Sequence, residues 1–348
     1  MTIELDAEQR AFADACGKLA AGLAGRWRLG RGPGQVAPPR PSASDWSSMA
    51  EAGWFGLRLR EENGGAGAGA VYAGLLVEEL ARHAVPAPVL GTLIVAEQLQ
   101  AYGADPGLLS DIATGEVRVA PLLRPDLTGF AGDDDALAWD SACADFAVSV
   151  HDGAAHLLGE PAGGIDLTRA IRPPLAEPPA SPRSVSCAAP GEADRARLDA
   201  FALAMVAADV LGTMEAAHAA AVDYSRTRRQ FGVPVGSFQA VQDLAADGKV
   251  LLEASRSAVW YATWSVDALA PPEALRAARM AKAFASRAAV EVCEGALQIF
   301  GGIGFTWEFP AHIWLRRAHA SRRVFGDERH QESVLATQVF GAPAAGVS

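Results

Sequence analysis

The sequence predicts a mainly α-helical protein with a small β-domain set between two helical regions. Three observations predict it. Both ends repeat apolar residues at helical spacing. Between residues 115 and 190 the texture turns to short β-branched or alternating runs crowded with Pro and Gly. And half of the 348 residues are hydrophobic, enough to bury a core between several packed layers. Three domains follow: an N-terminal helical domain over 1–114, an abbreviated β-domain over 115–190 and a C-terminal helical bundle over 191–348.

In the first domain Asp6 is placed to cap a helix running to about Leu23, and residues 25–41 form a Gly/Pro/Arg loop. Ser42 or Ser44 caps a helix through Ala52, which Gly53 ends. Val71, Leu75, Leu76 and Leu80 mark a helix over 69–84, stopped by His83, Pro86 and Pro88. An apolar helix covers about 90–102. Strands are expected at 117–122, 146–150 and 156–158, while the Pro-rich stretch 173–190 cannot be helical. A long helix then runs from Asp194 to about Arg228. Leu198, Phe201 and Met205 lie on one of its faces and Leu203, Val206, Val210 and Met214 on another, so it is buried between neighbours. Helices over 237–269, 273–300, 310–323 and 328–340 complete a bundle.

The formal net charge of −11 argues against a nucleic-acid or anionic-membrane surface. The acidic start lacks the apolar segment of a signal peptide, and charges interrupt the apolar runs, so no membrane span is expected. Cys16, Cys143, Cys187 and Cys293 stand far apart, in no metal spacing, which fits a reducing cytoplasm. The glycines between Gly64 and Gly69 miss the dinucleotide-loop spacing and follow no strand. His312 and His319 share a helix face with no carboxylate or Cys partner and read as packing or surface residues.

Two stretches carry chemistry. The first is Tyr224-Ser-Arg226-Thr-Arg228-Arg229-Gln230-Phe231-Gly232, followed by Phe238-Gln239. Cations at a helix C-terminus suit the macrodipole, and by themselves need no other reason. The alternative is an anion clamp, an arginine fork beside Gln and Phe gripping a phosphate. The second is Gln298-Ile-Phe-Gly301-Gly302-Ile-Gly304-Phe305. One glycine suffices to end a helix; further ones suggest that backbone approaches something closely. Arg316, Arg317, Arg322 and Arg323 then read as a basic face, solvated or functional.

Taken together, these stretches resemble the acyl-CoA dehydrogenase family. Arg228-x-Gln-Phe-Gly232 is followed about 70 residues later by Gln298 to Phe305 and by Glu308-Phe-Pro310. Asp6-Ala-Glu-Gln9, the EAGWFGL and EENGG strings between Trp46 and Gly65, and VEELAR at 77–82 agree with it. The resemblance implies an acyl-CoA dehydrogenase-like fold and an FAD cofactor bound between two subunits. It also implies an acyl-CoA substrate, from which a base takes the α-proton while a hydride passes from the β-carbon to the flavin. Carried over by position, Arg228 pairs with the pyrophosphate, helped by Gln230 and Phe231. Gln239, Gln298, Gly301 and Gly302 line the adenosine end.

The sequence departs from the family at the base. The commonest base, a Glu before Gly-Thr, falls on Phe325; the alternative location, early in the first long C-terminal helix, falls on Ala202. No catalytic residue is assigned. The Thr-Glu and Trp-x-Ser/Thr elements that hold a chain's own flavin ring are not found where expected, and Trp139-Asp140-Ser141 matches poorly. The expectation is a subunit that completes the FAD site of a homologous partner, similar to the short subunits of the α2β2 acyl-CoA dehydrogenases that act on steroid side chains in actinobacteria. A dimer-of-dimers tetramer would result. Two alternatives remain: a self-sufficient homo-oligomer with Asp327, Glu328 or Asp199 as a displaced base, and a non-enzymatic scaffold with the same fold.

Overall fold

The computed structural model describes residues 4–27, 38, 40–131, 136–149, 155–175, 191–307, 309 and 311–341. Most of the 25–41 loop, the Pro-rich stretch beyond 175, Cys187, Glu308 and Pro310 lie outside the described residues.

Five helices open the chain: α1 (Ala7–Trp27), α2 (Ala43–Glu51), α3 (Ala70–Arg82), α4 (Val89–Ala101) and α5 (Pro106–Ala113). The amide of Gln9 donates to the Asp6 carboxylate at 2.8 Å, so Asp6 caps α1 as expected. Ser42, not Ser44, caps α2, accepting from the Asp45 amide at 3.1 Å. The sequence reading missed α5. Asp105 caps it and Pro106 opens it, a start signal that is legible once sought.

The middle sheet has five strands: β1 (Val119–Leu123), β2 (Leu137–Trp139), β3 (Phe146–Val148), β4 (Ala155–His156) and β5 (Ile171–Arg172), in the order β4-β3-β1-β2-β5. β1 and β3 are parallel and the other pairs antiparallel. The three expected strands are present with shifted ends. β2 and β5, at three and two residues, are too short to show a period. Leu59, Val95, Leu99, Leu108 and Ile112 share a core with Val119, Phe146 and Val148, which fixes the sheet against α4 and α5.

The C-terminal region holds α6 (Glu192–Thr227), β6 (Arg229–Gln230), β7 (Val233–Pro234), α7 (Gln239–Ala268), α8 (Pro271–Phe300), α9 (Ala311–Arg323) and α10 (Glu328–Phe340). Only Leu269 and Ala270 separate α7 from α8, so the two pack as a helical hairpin. Both predicted faces of α6 are buried. At Gly212 it crosses α3 so closely that a Cβ would lie 2.0 Å from the Glu78 carbonyl oxygen. By length and composition α6 and the segment Pro271–Phe305 could each cross a membrane; the most apolar stretch of α6 is 94% buried against protein, as a bundle core demands.

Candidate functional site

The end of α6 is built to leave the helix. The Arg228 amide donates to the Tyr224 carbonyl at 2.8 Å, and the chain then turns through the β6–β7 hairpin. Phe231 (φ 51°) and Gly232 (φ 85°) form its two-residue turn, which needs positive φ at both positions. Glycine meets that need without strain, whereas a bulky Phe does so at a cost of about 1–3 kcal/mol. Phe231 is nevertheless 93% exposed, touching Phe238 edge-on at 6.3 Å.

An aromatic cluster joins this turn to the end of α8. Tyr224 lies 5.1 Å from Phe300, and Phe300 lies 4.4 Å from Phe309. The cluster brings the Arg228 loop and the segment from Gln298 to Gly302 to the same end of the bundle. Arg228, Gln230, Phe231, Gln239, Gln298, Gly301 and Gly302 are all exposed. The Gln239 amide donates to Asp243 at 2.7 Å and Arg229 to the Gly232 carbonyl at 3.1 Å. Among the described residues no side-chain hydrogen bond engages Arg228, Gln230 or Gln298. Gly301 has φ 63°, which explains its glycine; at Gly302 φ is not positive, and a Cβ there would meet nothing within 4 Å. Among the described residues nothing requires Gly302 to be glycine.

Phe325 and Ala202 are both buried, and neither offers a proton acceptor. Phe325 sits at φ 58° with its ring 4.9 Å from Phe130. One helical turn before Ala202, Asp199 and Phe325 line one cavity of about 280 Å³ together with Arg124, Arg195, Leu203 and Arg279. Burial pushes the Asp199 carboxyl up to about 6, although Arg279, Arg195 and Arg124 oppose the shift. The other two carboxylates near the base position are engaged. Asp327 accepts from the His330 amide at 3.1 Å as the cap of α10 and pairs with Arg323 at 3.1 Å. Burial works against its charge, but these partners outweigh it and hold the carboxyl below its ordinary value. A bidentate contact with Arg322 likewise holds Glu328 low.

A second cavity, about 590 Å³, opens between the sheet and α9, walled by Trp139, Ile171, His319, Val324 and Arg169. The Arg169 guanidinium stacks 4.9 Å from the Trp139 ring centroid and donates to Asp209 at 2.8 Å. Asp209 also accepts from Arg317 at 2.5 Å and from Ser321 at 2.7 Å, and Arg317 donates to the Thr168 hydroxyl at 2.7 Å. One face of Trp139 is therefore covered by the chain's own guanidinium.

This network corrects the expected basic face. Arg317 is 1% exposed and serves Asp209, Arg322 serves Glu328, and Arg323 pairs with Asp327. Of the four arginines only Arg317 is turned fully inward by the helical period of α9, which adjacency in sequence conceals. Arg169 and Asp209 were missed altogether. Their one signal is Asp209 itself, a lone acid in the apolar run from Ala200 to Met214, which must find a cation if buried. His312 stacks edge-on to Trp307 at 4.9 Å, in keeping with its expected packing role.

Comparison with known proteins gives a consistent result. Residues 6–106 match the acyl-CoA dehydrogenase N-terminal domain and residues 200–340 its C-terminal domain. The chain is 31% identical to acyl-CoA dehydrogenase IpdE2 of Mycobacterium tuberculosis over 304 residues, 86% of this chain and 87% of that protein. Butyryl-CoA dehydrogenase from Megasphaera elsdenii superposes with a TM-score of 0.81 at 22% identity, covering 97% of this chain and all of that one. A chain of the ChsE4–ChsE5 complex from Mycobacterium tuberculosis does so with a TM-score of 0.77 at 18% identity, covering 99% of this chain and all of that one.

Proposed function

The chain belongs to the acyl-CoA dehydrogenase family, whose cofactor is FAD, and on that premise we propose that it works as the half-site subunit of a hetero-oligomer. In this reading it completes the FAD site of a homologous partner in a cytoplasmic dimer-of-dimers tetramer and brings no base of its own. One observation carries the proposal: at the exposed end of the bundle Arg228, Gln230 and Gln298 have no side-chain hydrogen bond among the described residues, while the usual base positions are Phe325 and Ala202.

The groups at that end fit the pyrophosphate and adenosine of FAD. When bound, FAD supplies the hydride acceptor for α,β-dehydrogenation of an acyl thioester. Arg228, exposed and without a side-chain hydrogen bond among the described residues, would pair with the pyrophosphate through a charge-assisted contact that Gln230 would support. Phe231, held out at the hairpin tip, gives an aromatic face to pack against. Gln239 and Gln298 offer amide donors to the adenosine end, and the bare backbone at Gly301 and Gly302 admits its close approach. The partner subunit supplies the carboxylate that takes the α-proton. The likeness to a chain from a two-protein complex supports a heteromeric assignment, and the resemblance to the short subunits of steroid-degrading enzymes points to a lipid or steroid acyl thioester as substrate.

Co-expression with a longer homologue bearing an intact Glu tests the proposal. Flavin content and acyl-CoA turnover should appear only in the complex, and Arg228→Ala should strip flavin from it. Unchanged flavin content would move the reading to a scaffold. A second reading, a self-sufficient homo-oligomer, is favoured by Asp199 alone, the carboxylate beside Phe325 that no hydrogen bond engages among the described residues. Stoichiometric flavin and turnover in the purified single chain would establish it in place of the first.

A further inference from the structure

The cavity beside Phe325 has an unusual charge balance for this protein. Three guanidiniums (Arg124, Arg195 and Arg279) line it against one carboxylate, Asp199, in a chain of net charge −11. Among the described residues no ion pair within 4 Å joins Asp199 to any of them. Interior arginines elsewhere are served differently: Arg58, Arg169, Arg256 and Arg317 each have a carboxylate oxygen at 3.0 Å or less.

Arg279 is the best placed of the three. It projects from α8, and its NH1 donates to the Gln331 side-chain oxygen at 2.7 Å. Gln331 is fully buried and in turn donates to the Phe325 carbonyl, so Arg279 is oriented by a fixed neighbour. Its Nε is buried without a hydrogen-bond partner. Burial lowers the pKa of Arg279, and Asp199 restores only part, so this guanidinium lacks a close counter-charge. The same cavity is lined by the Phe130–Phe325 pair and Leu203, an apolar surface. Cations and an apolar surface in one cavity match a molecule with an apolar body and one carboxylate.

We propose that the cavity between α6, α8 and the Phe325 turn binds the carboxylate of an apolar organic acid, with Arg279 as its anchor and Asp199 setting its affinity by repulsion. Read with the function proposed above, in which the partner's carboxylate does the chemistry, the acid is a non-reacting ligand of this chain's baseless pocket: a free acid, or an acyl group that carries a carboxylate besides its thioester. Recognition of the free acid needs neither flavin nor partner, so it succeeds or fails independently of that function.

The probe is cyclohexanecarboxylate, small enough for a cavity of about 280 Å³, titrated calorimetrically into the intact chain at low salt. The acid should bind roughly tenfold more tightly than cyclohexanecarboxamide. Arg279→Gln should remove that preference while leaving the weak amide binding in place. Arg195→Gln, at an exposed position with little bearing on folding, should weaken the acid about threefold. Asp199→Asn should tighten it, because a like charge leaves the cavity. The mono-CoA thioester of cyclohexane-1,4-dicarboxylate separates the two sources: tighter binding than the free acid assigns the site to an acyl group, and equal binding assigns it to a free acid. Equal binding of acid and amide, or an acid affinity that neither arginine substitution changes in chains with native circular dichroism, would overturn the proposal.

Discussion

The buried ammonium of Lys282 donates a hydrogen bond to the Gly326 carbonyl at 3.0 Å, tying α8 to the turn that bears Phe325. Its other two donors go to the Arg322 carbonyl and the Ser286 hydroxyl, each at 2.9 Å. Burial pushes its pKa down to about 7, against the pull of Glu328 and Asp327. Lys282→Met would leave two carbonyls without this partner. Each orphaned carbonyl costs about 1–3 kcal/mol, offset in part by the desolvation a buried cation no longer suffers. A net loss of roughly 2 kcal/mol is expected in urea denaturation; an unchanged midpoint would show that the turn holds itself.

Asp209 should be among the least replaceable side chains. Asp209→Ala strands Arg317 as a buried cation and leaves Arg169 only the longer pair with Asp140 at 3.9 Å, and breaking such a buried network from one side costs about 3–5 kcal/mol. Thermal unfolding of the variant should show this as a large fall in Tm.

Phe231→Gly should act in opposite directions on the chain and on the complex. Glycine relieves the positive φ, so the isolated chain should gain about 1 kcal/mol. The complex should lose flavin, because the exposed ring is gone. A chain that loses stability instead would show that the ring packs usefully within its own fold.

Two glycines should respond oppositely to alanine. Gly212→Ala drives a Cβ into the Glu78 carbonyl at the α3–α6 crossing and should destabilise by several kcal/mol. Gly302→Ala meets nothing within 4 Å among the described residues, so its unfolding should shift by no more than about 0.5 kcal/mol. Flavin retention by the assembled complex is where that second substitution should register.

Asp199 gives a pH signature. Its folded carboxyl titrates near 6, above its ordinary 3.8. Between those values the folded state holds a proton that the unfolded state has lost, so this group adds stability as pH falls from about 6 to 4. The full contribution is at most about 3 kcal/mol. Asp199→Asn should remove that slope from denaturation curves collected across the window, while a variant curve parallel to the native one would place Asp199 in ordinary solvent.

Much of the molecule was legible along the chain. Helix ends followed from local chemistry, as at Asp6 and Pro271, because caps and breakers act within a few residues. The burial of α6 followed from its two apolar faces. The short strands β2 and β5 were not legible, since their pairing depends on neighbours distant in sequence rather than on any repeat within two or three residues. The motif residues Arg228 to Gly232 and Gln298 to Gly302 were found separately; only the Tyr224–Phe300–Phe309 cluster places them at one end of the bundle.

The sequence by itself determined the family, the helical architecture and the absence of a carboxylate at Phe325 and Ala202, because each is a matter of residue identity and local spacing. Tertiary structure decided which charges are spent and which are free. Arg317 and Arg322 look alike in sequence, yet one serves a buried aspartate 108 residues away and the other a glutamate six residues on. Asp199 is one aspartate among many until α6, α8 and the Phe325 turn enclose it with three arginines. The energy of a charge depends on what surrounds it in space, and chain order carries little of that information.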